Sequence, residues 1–283
     1  MKQTKPSWTG EITAIMRALH QTADDEPRIL VDSVAPRLIE PNGHDDKGPT
    51  PLLNHPFAKR WRAGFLMRSR YAEDCLAEAV ERGAQQYVII GAGLDTFAYR
   101  QPSWADSLCT YEIDHPATQR WKRDRLATER IAIPRNLTFV PIDFEKTSLA
   151  SALQTAGFGF SRKSFCSWLG VTQYLTPSAI DATFEFVLSL PRSSEIVFSF
   201  VLSADALSGI EAEATKFAAQ ISAEAGEPWL TSFRPDDLTA HLRTMGFSDV
   251  IHLTPEEANR RYFKNRRDGL EARQGEQLIR AIV

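Results

Sequence analysis

The chain has 283 residues, 43% of them hydrophobic and 24% charged, with a net charge of −3, the composition of an ordinary folded protein. That balance argues against a nucleic-acid partner, which a concentrated basic surface would favour. No apolar run approaches the eighteen or so residues of a membrane span, and Cys75, Cys109 and Cys166 are too few and too scattered for a disulfide framework or a zinc site. The expectation is a cytoplasmic protein, monomer or homodimer, with no membrane partner, no nucleic acid and no metal. The basic clusters Arg120, Lys122, Arg123, Arg125 and Arg260, Arg261, Lys264, Arg266, Arg267 read as solvated helix faces.

In chain order, the polar stretch Met1–Gly10 lacks an apolar signal core. Glu11–His20 follows as a short helix capped by Thr9 or Gly10, with Ile12, Ile15, Met16 and Leu19 at helical spacing. The apolar group Ile29–Ile39 precedes a Gly- and Pro-rich loop, Glu40–Pro51. A long helix then runs over Trp61–Val80 and stops at Gly83. Beyond it the rhythm changes. Tyr87–Ile90 is a short continuous apolar run ending in Gly91, the pattern of a buried parallel strand. Further strands are expected at Leu108–Ile113, Leu137–Pro141, Phe165–Leu169 and Glu195–Val201, with Ser248–Leu253 and Gln277–Val283 added at the edge. Pro116–Arg130 and Pro177–Leu190 read as intervening helices. The alternation predicts a mainly parallel α/β sheet of seven strands with helices on both faces. Ala204–Ala225 and Asp236–Met245 read as further helices. Residues 1–83 are taken as an N-terminal helical cap and 84–283 as the core, with a second cap insertion at 204–231.

Three strand ends carry the chemistry. Ile89-Ile90-Gly91-Ala92-Gly93-Leu94-Asp95-Thr96 runs a strand into a glycine turn, where a backbone without Cβ atoms approaches a ligand closely. A helix starting near Asp95 would aim free N–H groups at that ligand. Asp114 ends the second strand 21 positions after Gly93, where a carboxylate accepts hydrogen bonds from ribose hydroxyls. Asp143 ends the third, suited to an adenine amino group with Phe144 flanking the ring. Each has a plain structural alternative: tight packing for the glycines, a helix cap before Pro116 for Asp114, a loop cap for Asp143. A nicotinamide dehydrogenase shares the first two features, but its fingerprint wants a third Gly or Ala where Thr96 stands.

At these residues the chain resembles the leucine carboxyl methyltransferase family and its bacterial, polyketide-type relatives. The resemblance lies in Gly91-Ala-Gly-Leu-Asp-Thr-Phe-Ala-Tyr-Arg100, Tyr111-Glu-Ile-Asp-His-Pro116, Val140-Pro-Ile-Asp143 and Ser167-Trp-Leu-Gly-Val-Thr-Gln-Tyr-Leu175. Weaker echoes are Thr13-Ala-Ile-Met-Arg17-Ala18, Arg68-Ser-Arg-Tyr-Ala-Glu-Asp74 and Pro228-Trp-Leu-Thr-Ser-Phe233. It implies a Rossmann-like class I methyltransferase fold with S-adenosyl-L-methionine as cofactor. By position it implies cofactor contacts from Gly91, Ala92, Gly93, Asp114, Asp143, Phe144, Trp168 and Leu169. It pairs Arg68 with the cofactor carboxylate and makes Arg17 a second cation there. Leu169 stands where several family members carry a glutamate, so one polar contact is missing.

The implied reaction is methyl transfer to oxygen, with a small-molecule acid as substrate. A carboxylate acceptor is already ionised at neutral pH and needs only orientation, with Arg17, Arg70, Tyr174 and Arg234 as candidates. A phenol or alcohol acceptor would need a base, with His20, His115 and His241 to consider, though His115 beside Pro116 reads better as structural. Trp8, Trp61, Phe65, Trp168, Tyr174, Trp229 and Phe233 would line a pocket for a hydrophobic or aromatic acid. The alternatives are hydroxyl methylation and cofactor binding without turnover.

Overall fold

The computed structural model describes residues 7–39, 55–143 and 147–283, so the expected loop Glu40–Pro51 and the candidate Phe144 lie outside the described residues. The apolar runs form strands close to where the sequence puts them: β1 Gln86–Ile90, β2 Cys109–Asp114, β3 Leu137–Pro141, β4 Ser164–Trp168, β5 Glu195–Val201, β6 Asp249–Leu253 and β7 Glu276–Ile282. They make one seven-stranded sheet in the order β3-β2-β1-β4-β5-β7-β6. β1, β4 and β5 are buried along their whole length, which is why they read as continuous runs without alternation. The pair expected at the edge differs in detail. β7 lies inside, antiparallel to both β5 and β6, because Leu278, Ile279 and Ala281 are fully buried and need a neighbour on each side.

The helices are α1 Trp8–Ala23, α2 Ala35–Leu38, α3 Ala58–Glu81, α4 Pro116–Thr128, α5 Leu149–Thr155, α6 Pro177–Leu188, α7 Gly209–Glu224, α8 Pro235–Met245 and α9 Pro255–Ala258. α1 starts earlier than its apolar pattern because Ser7, rather than Thr9 or Gly10, caps it, accepting from the Gly10 N–H. α5, seven residues long, is too short for a helical period to be read from sequence. One face of the sheet packs Leu153, Phe184, Val187 and Leu242 of α5, α6 and α8; the other packs Leu66, Met67, Tyr71 and Leu76 of α3. None of the described helices is long and apolar enough to cross a membrane.

The basic clusters are only partly the solvated faces expected. Lys122 is 1% exposed and its Nζ donates to Glu112 Oε2 at 2.8 Å. Arg125 binds the backbone carbonyls of Arg37, Leu38 and Ile39. Arg266 is held by Asp268 and by the carbonyls of Asp25 and Pro27. Arg120, Arg123, Lys264 and Arg267 are exposed as expected, and so are Arg260 and Arg261, which pair with Glu257.

Burial pushes the Glu112 carboxyl above its ordinary range, opposed by the Lys122 ammonium. Removing one member of such a pair strands the other. Lys122→Met should therefore cost about 3–5 kcal/mol in denaturant unfolding, and Lys122→Met with Glu112→Leu should recover most of it. Equal loss in the single and double variants would show that the pair is not what the core depends on.

Candidate active site

A cavity of about 460 Å³ opens at the carboxyl ends of β1, β2 and β4. Its floor is the Ile90–Asp95 turn, Asp114, His115 and Leu169–Val171; α1, α3 and α7 supply its roof.

The glycine turn has two jobs. Gly91 and Gly93 have φ of 67° and 49°, a region glycine enters without a Cβ penalty. A Cβ on Gly91 would sit 2.6 Å from Val171 Cγ2, whereas one on Gly93 would meet only the Gly91 carbonyl oxygen at 3.9 Å. Gly91 thus allows the wall to pack, and Gly93 leaves room beside the cavity. Ala92 lines the same wall and donates its N–H to the Ile113 carbonyl at 2.9 Å. The α-helix expected near Asp95 is absent. A single 3₁₀ turn, Phe97–Tyr99, follows instead, and Asp95 Oδ1 takes the Phe97 N–H at 2.8 Å.

Asp114 Oδ2 accepts from the Gly93 N–H and Oδ1 from the His115 N–H, both at 2.6 Å. Each oxygen keeps a lone pair for a ligand hydroxyl. Burial raises its pKa, opposed by those two backbone donors and by Lys122. His115 lines the cavity, but its Nδ1 accepts from Ala117 N at 3.3 Å and caps α4, the structural role that its position beside Pro116 favours. Asp143 follows β3, half-buried, and is not among the described residues lining the cavity.

Arg68 donates from Nη1 to Glu276 Oε1 at 2.8 Å and from Nη2 to Thr13 Oγ1 at 3.3 Å, with its guanidinium 4.7 Å above the Phe65 ring. A Cβ on Gly170, which has φ of 70°, would lie 2.5 Å from Arg68 Nη1, so this glycine admits the cation to the wall. Arg17 also reaches the wall but is committed: Nε donates to Asp32 Oδ2 at 3.1 Å and Nη2 to the Leu94 carbonyl at 2.6 Å. Tyr174 lines the cavity from a 3₁₀ turn after β4, its hydroxyl 3.4 Å from Ser222 Oγ on α7.

One candidate is corrected outright. The Trp168 side chain lies in the core against Phe184 and Phe198. Successive side chains of a strand point to opposite faces, and it is Ser167 and Leu169 that line the cavity. Arg70 and Arg234 pair with the partly exposed Asp74 and the exposed Asp205. His20 is buried against Asp24, and His241 meets Asp181 at the surface. None of these four lines the cavity. Of the aromatic candidates, Trp8, Trp61, Phe65 and Trp229 line it, while Phe233 packs on Phe200 in the core.

Sequence reading missed Asp32, Arg60, Glu211, Glu227 and Glu276. Arg60 pairs with Glu211 across α3 and α7, and Thr9 Oγ1 donates to Glu227 at 2.5 Å. All five act through partners far along the chain and sit in no local pattern.

Residues 10–188 match the model of the leucine carboxyl methyltransferase family. A Bacillus subtilis protein, YktD, whose name assigns it provisionally as an S-adenosyl-L-methionine-dependent methyltransferase, is 33% identical over all of this chain and 99% of its own length. A Mycolicibacterium gilvum protein with the same provisional description is 34% identical over 66% of this chain and 63% of its own. Among solved structures, a DUF574 family protein from Streptomyces avermitilis aligns with a TM-score of 0.59 at 13% identity, covering 98% of this chain and 97% of that one. A protein from Thermobifida fusca, provisionally titled a methyltransferase, aligns with a TM-score of 0.57 at 16% identity, covering 99% and 96%. These two likenesses carry the fold, and the family match and the Bacillus relative carry the kinship: the chain belongs to the leucine carboxyl methyltransferase family, on a Rossmann-like class I methyltransferase fold.

Proposed function

We propose that this protein is an S-adenosyl-L-methionine-dependent O-methyltransferase that converts a small hydrophobic or aromatic carboxylic acid to its methyl ester. The observation that carries the reading is the division of one cavity into a floor with a hydrogen-bonding carboxylate and a roof of aromatic side chains. Asp114 stands at the end of β2, while Trp8, Trp61, Phe65 and Trp229 face the space from above.

The residues present fit the cofactor. Asp114 offers free lone pairs for vicinal hydroxyls, Gly93 leaves space beside them, and Arg68 already holds a carboxylate, that of Glu276. Leu169, Gly91 and Ala92 contribute van der Waals surface. Bound there, the sulfonium supplies an electrophilic methyl group. The protein then has to orient the nucleophile, exclude water and hold the reacting atoms at an attack distance of about 3–3.5 Å.

A carboxylate acceptor suits this wall because it needs no base. The one histidine among the described cavity-lining residues, His115, is spent as a cap. The wall carboxylates Glu211, Glu227, Glu276 and Asp95 are engaged with Arg60, Thr9, Arg68 and the Phe97 N–H. Tyr174 is the candidate to orient the acceptor, since its hydroxyl has only a long contact to Ser222.

Asp114→Ala should weaken S-adenosyl-L-methionine binding about ten- to a hundredfold, the equivalent of losing about 1.5–3 kcal/mol of charge-assisted hydrogen bonding. Calorimetry reads this directly, and unchanged affinity in a folded variant would leave Asp114 as a cap alone. Because burial raises the Asp114 pKa and the ionised form accepts the hydroxyl bonds, wild-type affinity should fall on acidification earlier than for an ordinary aspartate. A flat profile would contradict the assignment. Tyr174→Phe should lower kcat/KM about tenfold or more for an acid acceptor with cofactor affinity intact. The activity itself is tested by transfer of labelled methyl to a panel of aromatic and aliphatic acids. Label released by mild base marks an ester, and base-stable label would mark a hydroxyl acceptor.

A further inference from the structure

We infer that Asp32, which does not touch the cavity, sets cofactor affinity by positioning the Gly91–Asp95 turn through Arg17 and Thr96. The inference rests on the reading of that turn as part of the cofactor site. It gives Arg17, which also lines the cavity, a positioning role toward the turn.

Asp32 is fully buried between the N-terminal segment and the turn. Its Oδ1 accepts the Val34 and Ala35 N–H groups at 3.1 and 2.9 Å, fixing the carboxylate at the start of α2. Its Oδ2 accepts from Arg17 Nε at 3.1 Å and from Thr96 Oγ1 at 2.7 Å. Arg17 extends the chain of contacts to the Leu94 carbonyl, and Arg100 closes it, donating to Thr96 Oγ1 at 3.0 Å and pairing with Glu73 of α3. Burial works to raise the Asp32 pKa, but Arg17, Arg100 and Thr96 outweigh it and hold the carboxyl below its ordinary range. It is therefore ionised wherever the cofactor is bound near neutral pH.

The geometry explains why such a device is needed. A turn followed by an α-helix is held by the first helical hydrogen bonds, but here only one 3₁₀ turn follows. From the sheet side the turn is tied by Ala92 N to the Ile113 carbonyl and by Gly93 N to Asp114. Leu94 and Thr96 lie past those ties, and Asp32 with Arg17 holds both. Arg17 spends Nε and one Nη2 hydrogen on these two partners, so it holds the turn while its remaining N–H groups stay available to the cavity it lines.

Coupling between binding sites is reciprocal. If the N-terminal segment orders the turn for the cofactor, the cofactor must stabilise the N-terminal segment by the same free energy. S-Adenosylhomocysteine is the probe, titrated calorimetrically into wild type, Arg17→Met, Asp32→Asn, Thr96→Val and Arg17→Met/Asp32→Asn. The expected result is affinity at least tenfold weaker in Arg17→Met and Asp32→Asn, severalfold weaker in Thr96→Val, and no weaker in the double variant than in the worse single one. In wild type, saturating probe should also slow amide exchange across α1 and α2, and in Arg17→Met at saturation it should not. Contact by Arg17 without positioning by Asp32 predicts a different pattern, with Arg17→Met weak and Asp32→Asn equal to or tighter than wild type; that outcome overturns the inference. So does wild-type binding without protection of α1, which decides the matter even if Asp32→Asn does not fold. Failure of the wild type itself to bind the probe would instead remove the cofactor reading on which the inference stands.

Discussion

β1 is flanked by β2 on one side and β4 on the other, both parallel to it, and that arrangement governs the rest of the molecule. The connections leaving β1 and β4 turn away from each other, so a crevice is left above the carboxyl ends of the strands where no chain can cross. The cavity occupies that crevice. Its floor consists of strand ends because backbone groups released from the sheet ladder have to find partners there. Gly93 finds Asp114, and Ala92 finds the Ile113 carbonyl. A crevice open to water would weaken every electrostatic contact inside it. The roof contributed by α1, α3 and α7 is the structural answer, and it places aromatic rings opposite the polar floor.

The roof is tied to the floor by buried and half-buried ion pairs as well as by apolar packing. Arg17–Asp32, Arg68–Glu276 and Arg60–Glu211 join α1, α3 and α7 to the turn, to β7 and to one another. Pairs of this kind add little net stability over apolar contacts, but they penalise wrong arrangements heavily because each unpaired member is stranded. They suit a site whose geometry must be reproduced to a fraction of an ångström. The apolar cluster of Trp8, Ile12, Met16, Trp61, Phe65, Phe217 and Ile221 supplies the cohesive part of the same contact.

The sheet was legible because fully buried parallel strands write themselves as short apolar runs bounded by glycine, aspartate or proline. β3 and β5 were placed to the residue, and the others within one or two. The floor of the site was legible for the same reason: ligand-facing residues sit immediately after strand ends, so Gly91, Gly93 and Asp114 announce themselves by position. What was not legible is contact at long range. Nothing around Asp32 in the sequence says that it meets Arg17 and Thr96, and nothing around Glu211 points to Arg60. The Trp168 error has a different origin: the motif is continuous in sequence, but a strand sends neighbouring side chains to opposite faces, so only part of it can reach the cavity. Where a helix is expected after the glycine turn, the chain makes only the 3₁₀ turn Phe97–Tyr99, which the local residue types do not announce.

The proposed activity requires the crevice above β1, β2 and β4 to be a site for S-adenosyl-L-methionine and not for a dinucleotide. Calorimetric titration of the intact protein with S-adenosyl-L-methionine and, separately, with NAD tests this most directly. Saturable one-to-one binding of S-adenosyl-L-methionine with no heat from NAD is the predicted result. Binding of NAD, or of neither ligand, would contradict it.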